Sequence, residues 1–272
     1  MINKIKNSIY AVICIALFIS ISGCDKNNNL LLFSVNNDIE LGKQVQAQIA
    51  ADAAQFPILS ESQYPESYAY LKAMTDAILN SGEVAYKEEF AWEVKIIQND
   101  EVLNAFATPG GYIYVYTGLI KFLDQADDLA GVMGHEIAHA DLRHSSRSLQ
   151  KQNGVSFLLK IALGDNASGL EEIAGQVAGT VAGLSFSREF EAESDARSVE
   201  YLASTNYACN GAFSFFQKLI DSGSAGGTPE FLSTHPDPSS RVADINTKAT
   251  EIGCDTTPIG GTGYTDFQNS LP

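Results

Sequence analysis

The chain has 272 residues, 45% of them hydrophobic and 18% charged. That balance suits a globular protein with room for one sizeable domain or two small ones. A formal net charge of −16 argues against nucleic acid and anionic membrane surfaces as principal partners, since both repel an acidic protein.

The N-terminal segment reads as separate from the fold. Lys4 and Lys6 precede an apolar run from Ser8 to Ile21, too short for a comfortable membrane span but suited to an export signal. The run ends in Ile21-Ser22-Gly23-Cys24, which resembles the lipobox of bacterial lipoproteins. Residues 1–23 then form a lipoprotein signal peptide and Cys24 carries the lipid; the alternative is an ordinary secretory signal in which Cys24 is incidental. Acyl chains on Cys24 suffice for stable anchoring, on the periplasmic side of a bacterial cell envelope, at either membrane. Residues 24–37, including Lys26-Asn27-Asn28-Asn29, read as a tether.

From Asp38 to Phe56 the apolar spacing predicts a helix, stopped by Pro57. A second helix runs from Pro65 to Asn80, with Tyr68, Leu71, Met74, Thr75 and Ile78 on its apolar face and Ser81-Gly82 ending it. The period then changes. Ala91–Ile97 and Tyr112–Tyr116 alternate as strands do, and Asn104-Ala105-Phe106-Ala107 runs into the turn Thr108-Pro109-Gly110-Gly111. Three strands in one small sheet are expected. Asp124 to Ser148 reads as one long helix, with Asp127 and Asp128 favourable at its positive end. Ser156–Leu163 and Ile173–Leu184 are interrupted by charges, so they suit helices on the core or over a cleft better than membrane spans. From Thr256 a Gly-, Thr- and Pro-rich tail is expected to be flexible and poorly ordered, leaving 38–255 as one domain. Cys209 and Cys254 are either a disulfide suited to an oxidising compartment or a pair of buried thiols.

The chemistry sits in His135-Glu136-Ile137-Ala138-His139. Residues four apart share a helical face, so both imidazoles can converge on one ion. Glu136, turned about 100° away, is poorly placed as a ligand and well placed as a general base toward a water at the metal. A catalytic zinc needs a third protein ligand. It is not the histidine of H-E-x-x-H-x-x-G-x-x-H, because Leu142 and Ser145 occupy those positions. His144 is one residue short and reads as a polar residue late in the helix. The run Ser187-Arg188-Glu189-Phe190-Glu191-Ala192-Glu193-Ser194-Asp195 offers several acids. Glu191 and Asp195 share one face, while Glu189 and Glu193 read as solvated charges.

Four segments, in order, resemble the gluzincin metallopeptidase family that includes the CAAX prenyl proteases, the HtpX-like proteases and several envelope lipoprotein proteases. They are Asn104–Gly111, Gly134–His139, Ser187-Arg188 with Glu191–Asp195, and Ser233-Thr234-His235-Pro236 followed by Arg241. The resemblance implies an α+β, mostly helical zincin-like fold with one Zn2+ held by His135, His139 and Glu191. It implies Glu136 as the base, and Asp195 as acceptor for the outer N–H of a ligand histidine. Asn104, Ala105, Phe106 and Ala107 would form an edge strand to which an extended substrate adds. His235 would lie at the open metal position, as oxyanion donor or resting occupant, with Arg241 supporting it. The expected activity is zinc-dependent endoproteolysis of unfolded, misassembled or membrane-associated polypeptides. The alternatives are a non-cleaving chaperone or assembly factor on the same scaffold, and a zinc hydrolase of non-protein envelope material.

Overall fold

A computed structural model describes Lys26, Leu31 and residues 33–152, 171–175, 177–178, 186–221, 230–235 and 238–272. The expected signal segment, Cys24 and most of the stretch from 154 to 184 lie outside them.

Helix α1 spans Val35–Ala51 and is capped by Ser34, whose side chain accepts the Asn37 N–H while the Asn37 side chain accepts that of Ser34. Within the segment read as a tether, Leu31 and Phe33 are buried. Helix α2, Pro65–Leu79, buries the expected stripe of Tyr68, Leu71, Met74, Thr75 and Ile78.

The sheet has order β1-β3-β2. β1 (Glu93–Ile97) pairs parallel with β3 (Tyr112–Tyr116), and β2 (Ala105–Thr108) pairs antiparallel with β3. The β2–β3 turn needs left-handed backbone at Gly110 and Gly111, with φ 78° and 83°. Alternation divides the sheet between two cores. Val94, Ile96, Ile113 and Val115 face the larger core, and Tyr112, Tyr114 and Tyr116 join Phe106 against α1.

A short helix α3, Thr117–Phe122, leads to α4, Ala126–Asp141, every residue of which is buried. α4 packs against α5 (Arg188–Leu202) and α6 (Gly211–Asp221). α7 (Glu230–Thr234) and α8 (Pro238–Ile252) follow. Cys209 and Cys254 form a disulfide with Cα atoms 6.2 Å apart, joining the start of α6 to the end of α8.

Two expectations are corrected. The long helix breaks after Asp141: Arg143 adopts φ 57°, and helix resumes over 144–152. Polar side chains hold the break. Asp141 accepts the N–H groups of Ala85 and Tyr86 and the Tyr201 hydroxyl, while Arg143 pairs with Asp38 and donates to the Phe33 carbonyl. The tail is ordered where aromatic residues give it apolar surface to bury. α9, Gly263–Asn269, packs Tyr264 and Phe267 on the core, with Phe267 stacked on Tyr70 at 4.3 Å. Of the 154–184 stretch, Ile173, Ala174 and Val177 are described and buried with the α1 core. Among the described residues, no helix is long and apolar enough to cross a membrane.

Candidate metal centre

His135 and His139, one turn apart on α4, bring their Nε2 atoms within 2.9 Å. α5 supplies Glu191 from its first turn, where the helix dipole favours a carboxylate. Ser187 caps that helix by accepting the Phe190 N–H. The Glu191 oxygens lie 3.5 Å from His135 Nε2 and from His139 Nε2. His235, just beyond α7, places Nδ1 3.1 Å from both of those oxygens and 3.3 Å from His135 Nε2. One ligating atom from each of the four residues falls within 4.8 Å of the others.

These groups fit a zinc ion on two grounds. Imidazole nitrogens and a carboxylate are ordinary zinc ligands, and separations of about 3 Å suit donors roughly 2 Å from one ion. The charge also fits. Glu136, Glu191 and Asp195 are buried beside one buried guanidinium, Arg241, so with the imidazoles neutral, as zinc ligands are, the ionised carboxylates leave two uncompensated negative charges. A dication balances them.

The surrounding contacts orient the ligands. His135 Nδ1 lies 2.9 Å from Asp195 Oδ1, a contact that turns Nε2 toward the centre. Arg241 donates to Asp195 through Nε and Nη2, each at 2.7 Å. It also pairs with Glu191 at 3.0 Å, and its guanidinium covers the Phe216 ring. Its contacts are thus with the two acids and, through Nη2 at 3.2 Å, with His135 Nδ1, where support of His235 was expected. His139 has a relay of its own. His144 Nδ1 lies 2.9 Å from His139 Nδ1, His144 Nε2 lies 2.9 Å from Glu193, and Arg147 donates to Glu193 at 2.6 Å. His144 and Glu193 are thus part of the centre's surroundings, not a late-helix polar residue and a solvated charge. In a straight helix His144 would sit about 140° around the axis from His139. The break at Arg143 brings it back. Helical periodicity gave no signal of this; the one hint was a fourth histidine close to the motif.

The electrostatics follow from burial and neighbours. Burial and Arg241 oppose protonation of His135, yet Asp195 and Glu191 raise its pKa to about 9. Burial and the neighbouring His135 hold His139 well below the ordinary value. Burial pushes the Glu136 carboxyl up. Burial also opposes ionisation of Glu191, but His235, His135 and His139 outweigh it and depress its pKa. Contact with His144 brings Glu193 down to about 2.

β2 lies at the sheet's edge beside α4. Tyr116 donates to the Asn104 carbonyl. Antiparallel alternation then turns the main-chain groups of Ala105 and Ala107 toward the open edge. Beside that edge, Glu136 Oε1 is buried without a hydrogen-bond partner. Among the sequence-derived residues, Glu136, His135, His139, Glu191, Asp195, His235, Arg241 and the Asn104–Ala107 strand therefore converge. Cys209 and Cys254 lie apart in their disulfide.

A buried H-E-x-x-H helix facing a glutamate from a second helix, beside a small sheet, is the arrangement of a zinc metallopeptidase site. Residues 65–249, more than half of the chain, match peptidase family M48, and the chain belongs to that family. It is 32% identical over 167 residues to the beta-barrel assembly-enhancing protease of Escherichia coli (strain K12), covering 58% of this chain and 34% of that protein. It is 28% identical over 218 residues to the mitochondrial metalloendopeptidase OMA1 of Schizosaccharomyces pombe, covering 77% of this chain and 62% of that protein. The Arabidopsis thaliana OMA1 is 31% identical over 154 residues, 56% of this chain and 30% of its own length. The chain spans about a third of the length of the bacterial relatives it matches.

Proposed function

We propose that this chain is a zinc-dependent endopeptidase of the bacterial cell envelope, lipid-anchored through Cys24 on the periplasmic side, that cleaves unfolded or misassembled polypeptides. The observation that carries the reading is Glu136. A buried carboxylate oxygen without a hydrogen-bond partner stands beside a four-residue ligand cluster, and α4 fixes its position. Similarity to a protease named for β-barrel assembly supports a role in protein quality control.

His135, His139 and Glu191 hold the zinc, which when bound supplies Lewis acidity toward a peptide carbonyl and acidifies a water. Ala105 and Ala107 align an extended substrate by main-chain pairing, which reads shape more than side chains. Glu136 takes the proton of the attacking water and passes it to the departing amine. Burial raises its pKa, which favours that return. Asp195 keeps His135 in the tautomer with Nε2 free, and Arg241 keeps Asp195 and Glu191 in place. His235 stands within 3.1 Å of Glu191 and 3.5 Å of Glu136. Those contacts support its role as resting occupant of the open position; swung outward, its ring can donate to a developing oxyanion.

Glu136→Gln tests the reading. It should retain zinc while casein cleavage falls by about two orders of magnitude or more. Unchanged cleavage would end the proposed mechanism. A Glu136→Gln chain that still rescues a deletion strain would favour the non-cleaving chaperone or assembly role.

A further inference from the structure

We propose that the chain is docked by its own N-terminal segment so that the surface at Lys87–Glu89, beside the C-terminal end of α4, faces the bilayer, restricting its substrates to polypeptide segments close to the membrane surface. This rests on lipidation at Cys24 and deepens the reading above.

Lys26, two residues after the acylated position, is attached to the domain. Its backbone N–H donates to the Tyr86 hydroxyl at 2.9 Å, its ammonium donates to the Ala85 carbonyl at 2.9 Å and pairs with Glu89, and it lies 5.0 Å above the Tyr86 ring. Further along, Leu31 and Phe33 are buried, and the Phe33 carbonyl accepts from Arg143. A free tether over residues 24–37 could extend about 45 Å. Pinned at Lys26, the same segment leaves Cys24 within roughly 7 Å of the docking point.

That point adjoins the metal helix. Tyr86 and Ala85 donate to Asp141, the last residue of α4, and Arg143 lies 5.7 Å from the centroid of the Tyr86 ring. His139 is two residues before Asp141. Following this path with standard bond lengths places the metal centre at most roughly 35 Å from the lipid-bearing Cα. The surface around the docking point exposes Lys87, Glu88 and Glu89, and Lys26 already pairs with Glu89. It therefore fits zwitterionic headgroups rather than anionic ones. Pinning also raises the effective concentration of the centre for chains lying near the bilayer.

The test uses the full lipidated chain in phosphatidylcholine–phosphatidylethanolamine vesicles. Each vesicle carries a casein-derived segment, placed directly after a membrane span or beyond a rigid helical spacer of about 60 residues, roughly 90 Å. The proximal segment should be cut at least about tenfold faster than the distal one. A Gly-Ser insert of about 30 residues between Asp25 and Lys26, with an r.m.s. reach of about 30 Å, should shrink that ratio several-fold and leave cleavage of free casein unchanged. Lys26→Ala with Tyr86→Phe should shrink it part of the way. Equal cutting of both segments by the wild type, or a ratio indifferent to the insert, overturns the docking. Mass spectrometry of the mature N-terminus separates the two claims. An unacylated Cys24 ends the lipoprotein reading and the docking with it, whereas an acylated chain without distance dependence ends the docking alone.

Discussion

Gly134 immediately precedes the metal-binding stretch and faces α5. A Cβ there would stand 2.6 Å from Ser198 Oγ and 3.4 Å from its Cα and Cβ. The hydroxyl is buried and donates to the Gly131 carbonyl at 2.9 Å. Gly134→Ala therefore forces one of two responses. If the hydroxyl rotates away, a buried donor loses its acceptor at a cost of about 1–3 kcal/mol. If the helices separate instead, Glu191 and Asp195 move with α5 away from His135 and His139. Alanine's higher helix propensity returns about 1 kcal/mol. We expect a net loss of about 1–2 kcal/mol in urea unfolding, with weaker zinc binding in a chelator competition. Ser198→Ala removes the obstructing oxygen, so the double variant should return to within about 0.5 kcal/mol of the wild type, a coupling of at least about 1 kcal/mol. A single variant of native stability, or two additive effects, would refute the idea that this contact sets the helix spacing.

Three further outcomes follow from the geometry. His144→Ala should weaken zinc binding by about 10–100-fold, read by competition with a chelator; native affinity would remove His144 from the set of positioning residues. Chelation should lower the melting temperature, because a ligand at about 100 times its Kd contributes about 2.7 kcal/mol. Zinc should restore it, and a melt insensitive to chelator would show that the acids are balanced in some other way. Replacing both Cys209 and Cys254 by alanine should cost up to about 4 kcal/mol of unfolding free energy, since the bridge closes a loop with a sequence separation of 45. Indifference of the urea midpoint to the replacement would contradict that estimate.

The parts of the centre legible in the sequence lie within single elements. His135, Glu136 and His139 follow from helical spacing, as does the shared face of Glu191 and Asp195. The strand–turn–strand stretch from Asn104 to Tyr116 was legible for the same reason, since alternation and a Gly-Gly turn are local signals. Helical spacing does not reveal the place of His144, because its position depends on a helix break. That break is made by Asp38, Phe33 and Tyr86, which lie more than 50 residues away in the chain. Arg241 meets Asp195, Glu191 and His135, a set that packing between helices fixes and local spacing does not. The glycines and threonines of the tail suggest flexibility, whereas Tyr264 and Phe267 bury themselves against Tyr70.

By itself, the sequence determined which side chains stand on one face of one helix, because backbone hydrogen bonding sets those distances wherever the helix lies. Only the tertiary structure decided which of those faces meet. It set His235 against Glu191, Arg241 between two acids, His144 behind His139 and Lys26 over Tyr86. Each of these contacts depends on how separate elements pack and on which buried charges must find a partner.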